Sequence, residues 1–138
     1  MTAKTAPADL KYTKTHEWVR LAADAAGQKT ATVGITAFAL EALTDLVFVD
    51  LPPVGREVRA GVSFGEIESV KAVSDLNSPV TGRVLEVNSE LVSNLEHLND
   101  DPYVNGWFVK IALTSDEGLS ELLDAAAYQK QCEEESAE

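Results

Sequence analysis

The stretch GEIESVKAVSD, residues 65–75, joins the end of one strand pattern to the start of the next segment. A single lysine, Lys71, lies at this junction between Val70 and Ala72. Acidic residues stand on both sides of it, at positions 66, 68 and 75. Because connections between strands run over the protein surface, the pattern predicts that Lys71 lies at the exposed tip of a hairpin.

A lysine at such a tip has two interpretations. A modifying enzyme can reach its amine, and an attached group can swing without colliding with its own domain. Acylation would turn the cationic ammonium into a neutral amide, which a change of pH cannot reverse. An unmodified lysine in a solvated turn is the more common outcome for such a position, so position alone does not decide between them.

Strand patterns lie on both sides of this tip. Val62–Val70 and Val80–Val87 are strand-like, and residues 73–79 between them contain several turn formers. Leu46–Leu51 is almost entirely apolar, which predicts a central strand covered on both faces. Three further strand-like runs complete the pattern: Trp18–Leu21 and Thr30–Ile35, which predict a hairpin, and Trp107–Leu113.

Two helices are predicted from capping signals. Thr36 has the character of an N-cap, and a short helix is expected to follow it through Leu43. The sequence Thr114-Ser115-Asp116-Glu117 matches a capping box and predicts a C-terminal helix. Three leucines of that helix would share one face and pack on the sheets: Leu119, Leu122 and Leu123.

Short, closely spaced strands favour an antiparallel sandwich or barrel, so the predicted class is β-rich α+β. A chain of 138 residues needs only one hydrophobic core. The predicted organisation is a mobile N-terminus over residues 1–9, a single domain over residues 10–131, and an acidic C-terminal tail over residues 132–138.

The charge of the chain argues against several classes of function. It has 23 acidic and 11 basic residues, a formal net charge of −12. Such a surface repels nucleic-acid phosphates and anionic lipids, and it suits protein partners with basic faces better. Acidity that merely aids solubility is the more common explanation, so the charge alone does not decide between the two. The N-terminal sequence MTAKTAPADLKY lacks the apolar segment of a secretory signal, and no apolar run approaches the length of a membrane span. We therefore expect a cytoplasmic protein, as in a bacterium.

Catalytic and metal-binding patterns are missing from the sequence. Cys132 is the only cysteine, so an intrachain disulfide or a pair of redox cysteines cannot form. The two histidines, His16 and His97, lack the spacing of metal ligands, and the motifs of nucleotide-binding and hydrolytic enzymes do not occur. We expect His16 to be a structural or surface histidine and not an acid/base partner of Glu17, because adjacent residues on a strand point to opposite faces. We expect any redox chemistry to come from a cofactor and not from an enzyme active site in this chain.

The chain resembles the glycine cleavage system H protein family over most of its length. The resembling stretches are THEWVR at residues 15–20, ATVGIT at 31–36, LVFVDLPPVG at 46–55, ESVKAVSDLNSPVTG at 68–82 and DPYVNGWFVKI at 101–111. The resemblance implies a barrel-sandwich hybrid, like that of lipoyl domains, with short flanking helices and a C-terminal helix. It also implies that Lys71 carries one covalent lipoyl group and that the protein is a carrier and not an enzyme.

The resemblance further implies a set of partners. A pyridoxal-phosphate glycine decarboxylase loads the aminomethyl group of glycine onto the lipoyl arm as carbon dioxide leaves. A tetrahydrofolate-dependent aminomethyltransferase takes the one-carbon unit and releases ammonia, and an FAD-containing dihydrolipoyl dehydrogenase reoxidises the arm. A lipoate ligase or a lipoyl/octanoyl transferase would install the cofactor. The carrier is expected to act as a monomer, without nucleic acid or membrane.

The same resemblance implies functional roles for several residues. The residues around the modified lysine that would be recognised are Glu68, Ser69, Val70, Ala72 and Asp75. Glu17 and Asp75 match family positions near a cleft that shelters the loaded arm, where a carboxylate can hold a cationic amine. Of these two, Glu17 is preferred. Ala37, Phe38 and Ala42 depart from the residues that many relatives have near the cleft.

Among other carriers of the same general type, two fit the sequence less well, and one remains as an alternative. Biotinyl domains usually place methionines on both sides of the modified lysine, whereas Met1 is the only methionine here. The lipoyl domains of 2-oxoacid dehydrogenases are shorter and lack the segments HEWV and DPYxxGW. An H-like protein that passes lipoate to other complexes would still need Lys71, so the sequence does not separate glycine cleavage from lipoyl relay.

Overall fold

The hydrogen-bonded strands form two antiparallel sheets in the computed structural model, which describes residues 7–136. The larger sheet has the order β1-β2-β3-β9-β8-β5, and the smaller sheet has the order β4-β6-β7. The strands are β1 (Lys11–Tyr12), β2 (Glu17–Ala23), β3 (Lys29–Ile35), β4 (Leu46–Asp50), β5 (Glu57–Val58), β6 (Ser63–Ser69), β7 (Val73–Asn77), β8 (Gly82–Val87) and β9 (Val109–Leu113). The helices are α1 (Ala37–Leu43), α2 (Glu90–Ser93), α3 (Glu96–Asp100) and α4 (Ala125–Ser136).

The main hydrophobic core contains buried side chains from both sheets. Val19 and Val33 come from the larger sheet, while Val49, Ile67 and Leu76 come from the smaller one, and all belong to one cluster. Because side chains alternate between the two faces of a strand, every second residue of β6 and β7 is available to this core. Burial of each such aliphatic side chain contributes roughly 1.5–3 kcal/mol.

A second cluster attaches helix α4 to the larger sheet. Tyr128 of α4 stacks on Tyr12 of β1, with ring centroids 4.6 Å apart, and Trp18 and Cys132 are buried in the same cluster. Burial is the main cause that raises the pKa of the Cys132 thiol, and the neighbouring Glu135 and Glu133 carboxylates raise it further. Cys132 is therefore an unreactive packing residue.

Much of the sequence-based prediction is confirmed. The class is β-rich with short helices and a C-terminal helix, although the sheets of the described residues remain open and do not close into a barrel. Strands β2 and β3 form the expected hairpin, with Gly27 at a φ of 84° in its turn. Helix α1 begins after Thr36, whose hydroxyl accepts a hydrogen bond from the Ala39 amide, as predicted for an N-cap.

The prediction of a central strand over Leu46–Leu51 is wrong. Strand β4 lies at the edge of the smaller sheet, and β6 is the central strand because it pairs with both β4 and β7. Val47 and Phe48 are exposed in β4. The apolar run therefore predicted a strand correctly, but it did not predict how many faces of that strand are covered.

The interpretation of residues 73–79 as turn residues is also wrong for most of the segment. Val73–Asn77 forms strand β7, paired with β6 from Glu68↔Val73 to Ser63↔Asn77. Leu76 is fully buried in the main core. Pairing and burial thus outweigh the weak local preference of Ser74, Asp75 and Asn77 for turns.

The C-terminal helix begins later than predicted. Leu119–Glu121 forms only a short 3-10 turn after Gly118, whose left-handed φ of 91° interrupts any helix from the expected capping box. Leu123 is extended, because its amide and carbonyl both form hydrogen bonds with the backbone of Tyr12, at 2.7 and 2.8 Å.

Helix α4 starts at Ala125 and continues through Ser136. Residues 132–136 of the predicted acidic tail are therefore helical, while residues 1–6 of the predicted mobile N-terminus and residues 137–138 of the tail lie outside the described residues.

Replacement of Leu76 by alanine should lower the free energy of unfolding by about 2–5 kcal/mol, because it leaves a cavity in the core. Leu85→Ala is the matched control, since Leu85 is 44% exposed on β8 whereas Leu76 is fully buried. Urea denaturation followed by circular dichroism measures both. Equal losses in the two variants would contradict the assignment of Leu76 to the core.

Candidate functional site

Lys71 lies at the tip of the hairpin formed by β6 and β7. The last cross-strand pair before the tip is Glu68↔Val73, and the Ser69 amide donates to the Ala72 carbonyl at 2.8 Å. The side chain of Lys71 is exposed, as are those of Val70 and Ala72 beside it. The structure thus agrees with the predicted placement of a lysine at an exposed hairpin tip.

The backbone of this tip is held by the buried hydroxyl of Ser69. Its oxygen accepts hydrogen bonds from the amides of Lys71 at 3.3 Å and Ala72 at 3.1 Å, and the hydroxyl donates to the Ala72 carbonyl at 3.4 Å. The Val70 amide donates to the Asp45 carbonyl at 2.9 Å, which ties the tip to the residue before β4. The arrangement presents an exposed side chain on a fixed backbone.

The other residues that the resemblance places around the lysine differ from one another in burial and in their position on the hairpin. Ser69 is buried beneath the tip, while Val70 and Ala72 are exposed at it. Glu68 is half-buried at the end of β6, and Asp75 is exposed on β7 opposite Glu66. Within this set, Ser69 is the residue whose side chain forms hydrogen bonds to the backbone of the tip.

A cleft of about 510 Å³ lies at the opposite end of β7. Its walls come from the turn between β1 and β2, from the end of β7 and from the segment after Gly118. Among the described residues that line it, three have carboxylates, Glu17, Glu117 and Glu121, and Lys14 has an ammonium. The cleft therefore has the charge to favour a cationic ligand.

Glu17 is the most enclosed charged residue of the cleft, with a relative exposure of 1%. Its Oε1 accepts hydrogen bonds from the hydroxyls of Thr13 at 2.6 Å and Thr15 at 2.5 Å, and its Oε2 accepts from the Asn77 amide at 3.2 Å. Desolvation raises the pKa of Glu17 above its ordinary value, and these hydrogen bonds only partly offset the rise.

His16, the residue directly before β2, has an unusual backbone conformation. His16 has a φ of 77°, and its ring stacks on Phe38 with centroids 5.0 Å apart. Its two nitrogens contact the Tyr128 hydroxyl at 2.7 Å and a Glu135 carboxylate oxygen at 3.1 Å. His16 therefore has the structural role expected of it, because it fixes the turn that directs Glu17 toward the cleft.

The structure does not bring Asp75 to the cleft with Glu17. Asp75 pairs with Glu66 on the exposed face of the smaller sheet, whereas Leu76 beside it points into the core. Ala37, Phe38 and Ala42, which depart from common family residues, belong to helix α1 and are not among the lining residues of this cleft. Phe38 is connected to Glu17 only indirectly, because its ring stacks on His16, the residue before Glu17.

Sequence reasoning missed the donors that hold Glu17. Thr13 and Thr15 precede it by four and two residues, and Asn77 is sixty residues away. The two threonines have a local signal, since hydroxyl residues close to a buried carboxylate can donate to it. The contact with Asn77 has no such signal, because only the packing of the two sheets brings it near.

In the part of the chain that the structure describes, no group of histidine, cysteine, aspartate or glutamate side chains could hold a metal ion. Within residues 7–136, none of the helices combines the length and the apolar character needed to cross a membrane.

The fold and the tip define a class of protein: a small two-sheet domain that presents one lysine at the end of a hairpin, in the manner of a carrier of a covalently bound group. The comparisons with known proteins identify the family. The model of the family "Glycine cleavage H-protein" matches residues 10–135. The chain belongs to this family, whose known role is that of lipoyl carrier in the glycine cleavage system, so it is a carrier protein and not an enzyme.

Individual relatives agree with the family model. A glycine cleavage system H protein of Rhodopirellula baltica is 54% identical over 93% of this chain and 96% of the relative. One from Symbiobacterium thermophilum is 52% identical over 88% of this chain and 91% of the relative. The crystal structure of a glycine cleavage system H protein from Mycobacterium marinum superimposes with a TM-score of 0.82, at 45% identity, over 91% of this chain and 98% of that chain.

The environment of Glu17 leads to a measurable prediction. A carboxyl whose pKa is raised by folding makes the protein less stable as pH rises from the ordinary value of 4.5 through the raised value, because the folded state then gives up its extra proton. Carbon-detected NMR of the Glu17 carboxyl should show this raised pKa. Thr15→Val should raise the pKa further, because it removes one donor to the carboxylate.

Thr114→Val is the control for that measurement, since Thr114 is an exposed residue outside the cleft. It should leave the titration of Glu17 unchanged. A Glu17 pKa at or below its ordinary value in the wild-type protein would contradict the enclosed position of the carboxylate.

Proposed function

We propose that Lys71 is the lysine to which this carrier attaches lipoate. The observation that supports this most directly is the combination of an exposed amine with a backbone fixed by Ser69. An acylating enzyme must hold a lysine in one geometry, and a fixed tip reduces the conformational entropy lost when it does so. The residues present therefore fit the covalent attachment of a carboxylic acid cofactor through an amide.

The cofactor would supply chemistry that the chain lacks. Lipoate would contribute a disulfide that can accept an aminomethyl unit, and the cofactor is left as a dithiol once that unit has been passed on. The chain itself cannot supply this chemistry, because Cys132 is buried and is the only cysteine. Lys71 would hold the cofactor at a distance from the domain, and the two sheets would provide a rigid base. In this arrangement the protein presents and protects the carried group while other enzymes change it.

We further propose that the cleft around Glu17 receives the cationic amine of the loaded arm. Glu17 offers a carboxylate already oriented by Thr13, Thr15 and the Asn77 amide, so little ordering is needed when a cation binds. Glu121 at the same cleft adds negative potential, whereas the carboxylate of Glu117 is paired with Arg59 at 3.7 Å. Asp75, the other carboxylate that the resemblance assigns to this role, is exposed and lies outside the lining of the cleft, which favours Glu17.

The proposed partners are those of the glycine cleavage system. The carrier would receive the aminomethyl group from the pyridoxal-phosphate glycine decarboxylase and pass the one-carbon unit to the tetrahydrofolate-dependent aminomethyltransferase. An FAD-containing dihydrolipoyl dehydrogenase would reoxidise it, and a lipoate ligase or a lipoyl/octanoyl transferase would install the cofactor. The similar H proteins come from bacteria, which supports a bacterial cytoplasmic carrier, proposed here to act as a monomer.

Attachment at Lys71 is tested by incubating the purified protein with a lipoate ligase, lipoate and ATP. Mass spectrometry of the intact protein and of its peptides should show one added lipoyl group, on Lys71. Lys71→Arg should fold normally and gain no lipoyl group, because arginine keeps the charge without offering an amine that can be acylated. It should also fail to support glycine cleavage.

Lys130→Arg is the matched control, since Lys130 is an exposed lysine on helix α4. It should be lipoylated like the wild type. Modification of Lys71→Arg to the same extent as the wild type would reject the attachment site. Full lipoylation without glycine-dependent carbon dioxide exchange by glycine decarboxylase would instead favour the lipoyl-relay alternative.

The role of Glu17 is tested with lipoylated protein. Glu17→Ala should leave lipoylation intact and shorten the lifetime of the aminomethyl-loaded form by about tenfold, because a charge-assisted hydrogen bond to the amine is lost. The lifetime is measured by the release of the one-carbon unit after removal of glycine decarboxylase. Asp75→Asn serves as the comparison, and an equal effect of the two changes would argue against a special role for Glu17.

A further inference from the structure

The outer face of the smaller sheet, next to Lys71, consists of two rows of residues across three strands. Cross-strand partners share a face of a sheet, so Phe48, Glu68 and Val73 form the row closest to the tip. Asp50, Glu66 and Asp75 form the next row, which we call the acidic row. We call these six residues the tip face. Its two rows are roughly 7 Å apart, the distance that two residues span along a strand.

The acidic row is unfavourable for the fold itself. Like charges directly opposite each other on neighbouring strands repel, and Glu66 has such a neighbour on both sides, Asp50 and Asp75. Among residues 7–136, the ion pairs are His16–Glu135, Lys29–Asp116 and Arg59–Glu117, so none of them neutralises this row. The arrangement therefore gives no stability in the isolated chain.

The row nearest the tip exposes apolar surface. Phe48 is 47% exposed and Val73 is 58% exposed, and Val70 beside Lys71 is exposed as well. Exposed apolar side chains next to charged ones are typical of a surface that a protein partner covers. The tip face thus combines an apolar strip with negative charge, which is complementary to an apolar depression bordered by arginine or lysine.

The position of this face indicates which partner would use it. An enzyme that forms a bond at Nζ of Lys71 must bring its catalytic groups to the tip, and in doing so it covers the adjoining sheet face. An enzyme that acts on the far end of a long attached arm has no such need. We propose, on the basis of the proposed attachment at Lys71, that the tip face is the docking surface for the basic face of the enzyme that acylates this lysine.

The step that this docking would serve is acyl transfer from an acyl adenylate made from lipoate and ATP. An amide bond forms between the acyl carbon and Nζ, the acyl–phosphate bond breaks, AMP leaves, and the amine loses a proton. Six residues form only a small surface, so the encounter is weak and transient. Its rate therefore depends on electrostatic attraction and falls as salt increases.

The test uses the double variant Asp50→Asn/Glu66→Gln, which removes the central repulsion of the acidic row. Initial rates of lipoylation by a purified lipoate ligase are measured against the concentration of the unlipoylated carrier. We expect kcat/KM to fall about threefold to tenfold, mainly through KM, with a weaker dependence on salt than in the wild type. The midpoint of thermal unfolding should stay the same or rise, because repulsion is relieved.

Two further variants complete the experiment. Phe48→Thr should lower kcat/KM with little change in thermal stability, because it removes exposed apolar surface and keeps a residue that favours strands. Glu133→Gln/Glu134→Gln makes the same change in charge on helix α4, which packs against the other sheet, and it should be lipoylated like the wild type.

The outcomes distinguish a docking role of the tip face from a purely structural one. Unchanged lipoylation of the double variant would overturn the docking role, while modification of wild-type Lys71 would leave the proposed attachment site intact. A parallel loss of stability and lipoylation would show that the face is structural and would also overturn it. The docking role would also be overturned if the double variant were lipoylated normally but then exchanged glycine-derived carbon dioxide more slowly with glycine decarboxylase, because the face would then serve that enzyme instead. If wild-type Lys71 gains no lipoyl group, the attachment and the docking role both fail.

Discussion

The alternation of side chains along β6 and β7 is the constraint on which the rest of the molecule depends. Ile67 and Leu76 point inward and join the smaller sheet to the core, and this anchoring holds the hairpin against the domain. The hairpin tip then has to lie beyond the core, where Lys71 is exposed. The same alternation directs Glu66 and Asp75 outward, so one set of strand pairings creates both the packed base and the charged face beside the lysine.

The two ends of β7 have different roles within this arrangement. At one end, the hydroxyl of Ser69 holds the backbone of the tip, and at the other end the Asn77 amide donates to the buried carboxylate of Glu17. A rigid strand thus connects the proposed attachment point to the cleft that would receive the loaded arm. The cleft itself depends on helix α4, because Tyr128 contacts His16 and stacks on Tyr12, which fixes the turn that precedes Glu17.

Local patterns predicted those elements whose causes are local. The N-cap at Thr36, the hairpin of β2 and β3 and the exposed tip at Lys71 all arise from neighbouring residues, and all agree with the structure. The errors have a common origin in long-range pairing. Residues 73–77 contain turn formers but pair with β6, and Leu123 fits a helical pattern but bonds to the backbone of Tyr12, more than a hundred residues earlier.

The sequence by itself determined the class of the protein, its negative charge, the position of Lys71 at a junction between strands, and the family resemblance that the comparisons confirmed. Only the tertiary structure decided that β4 is an edge strand with exposed apolar residues, that Glu17 is enclosed and Asp75 is not, and that Asn77 reaches Glu17. The physical reason is that composition and periodicity depend on neighbouring residues, whereas burial and charge environment depend on which distant strands pack together.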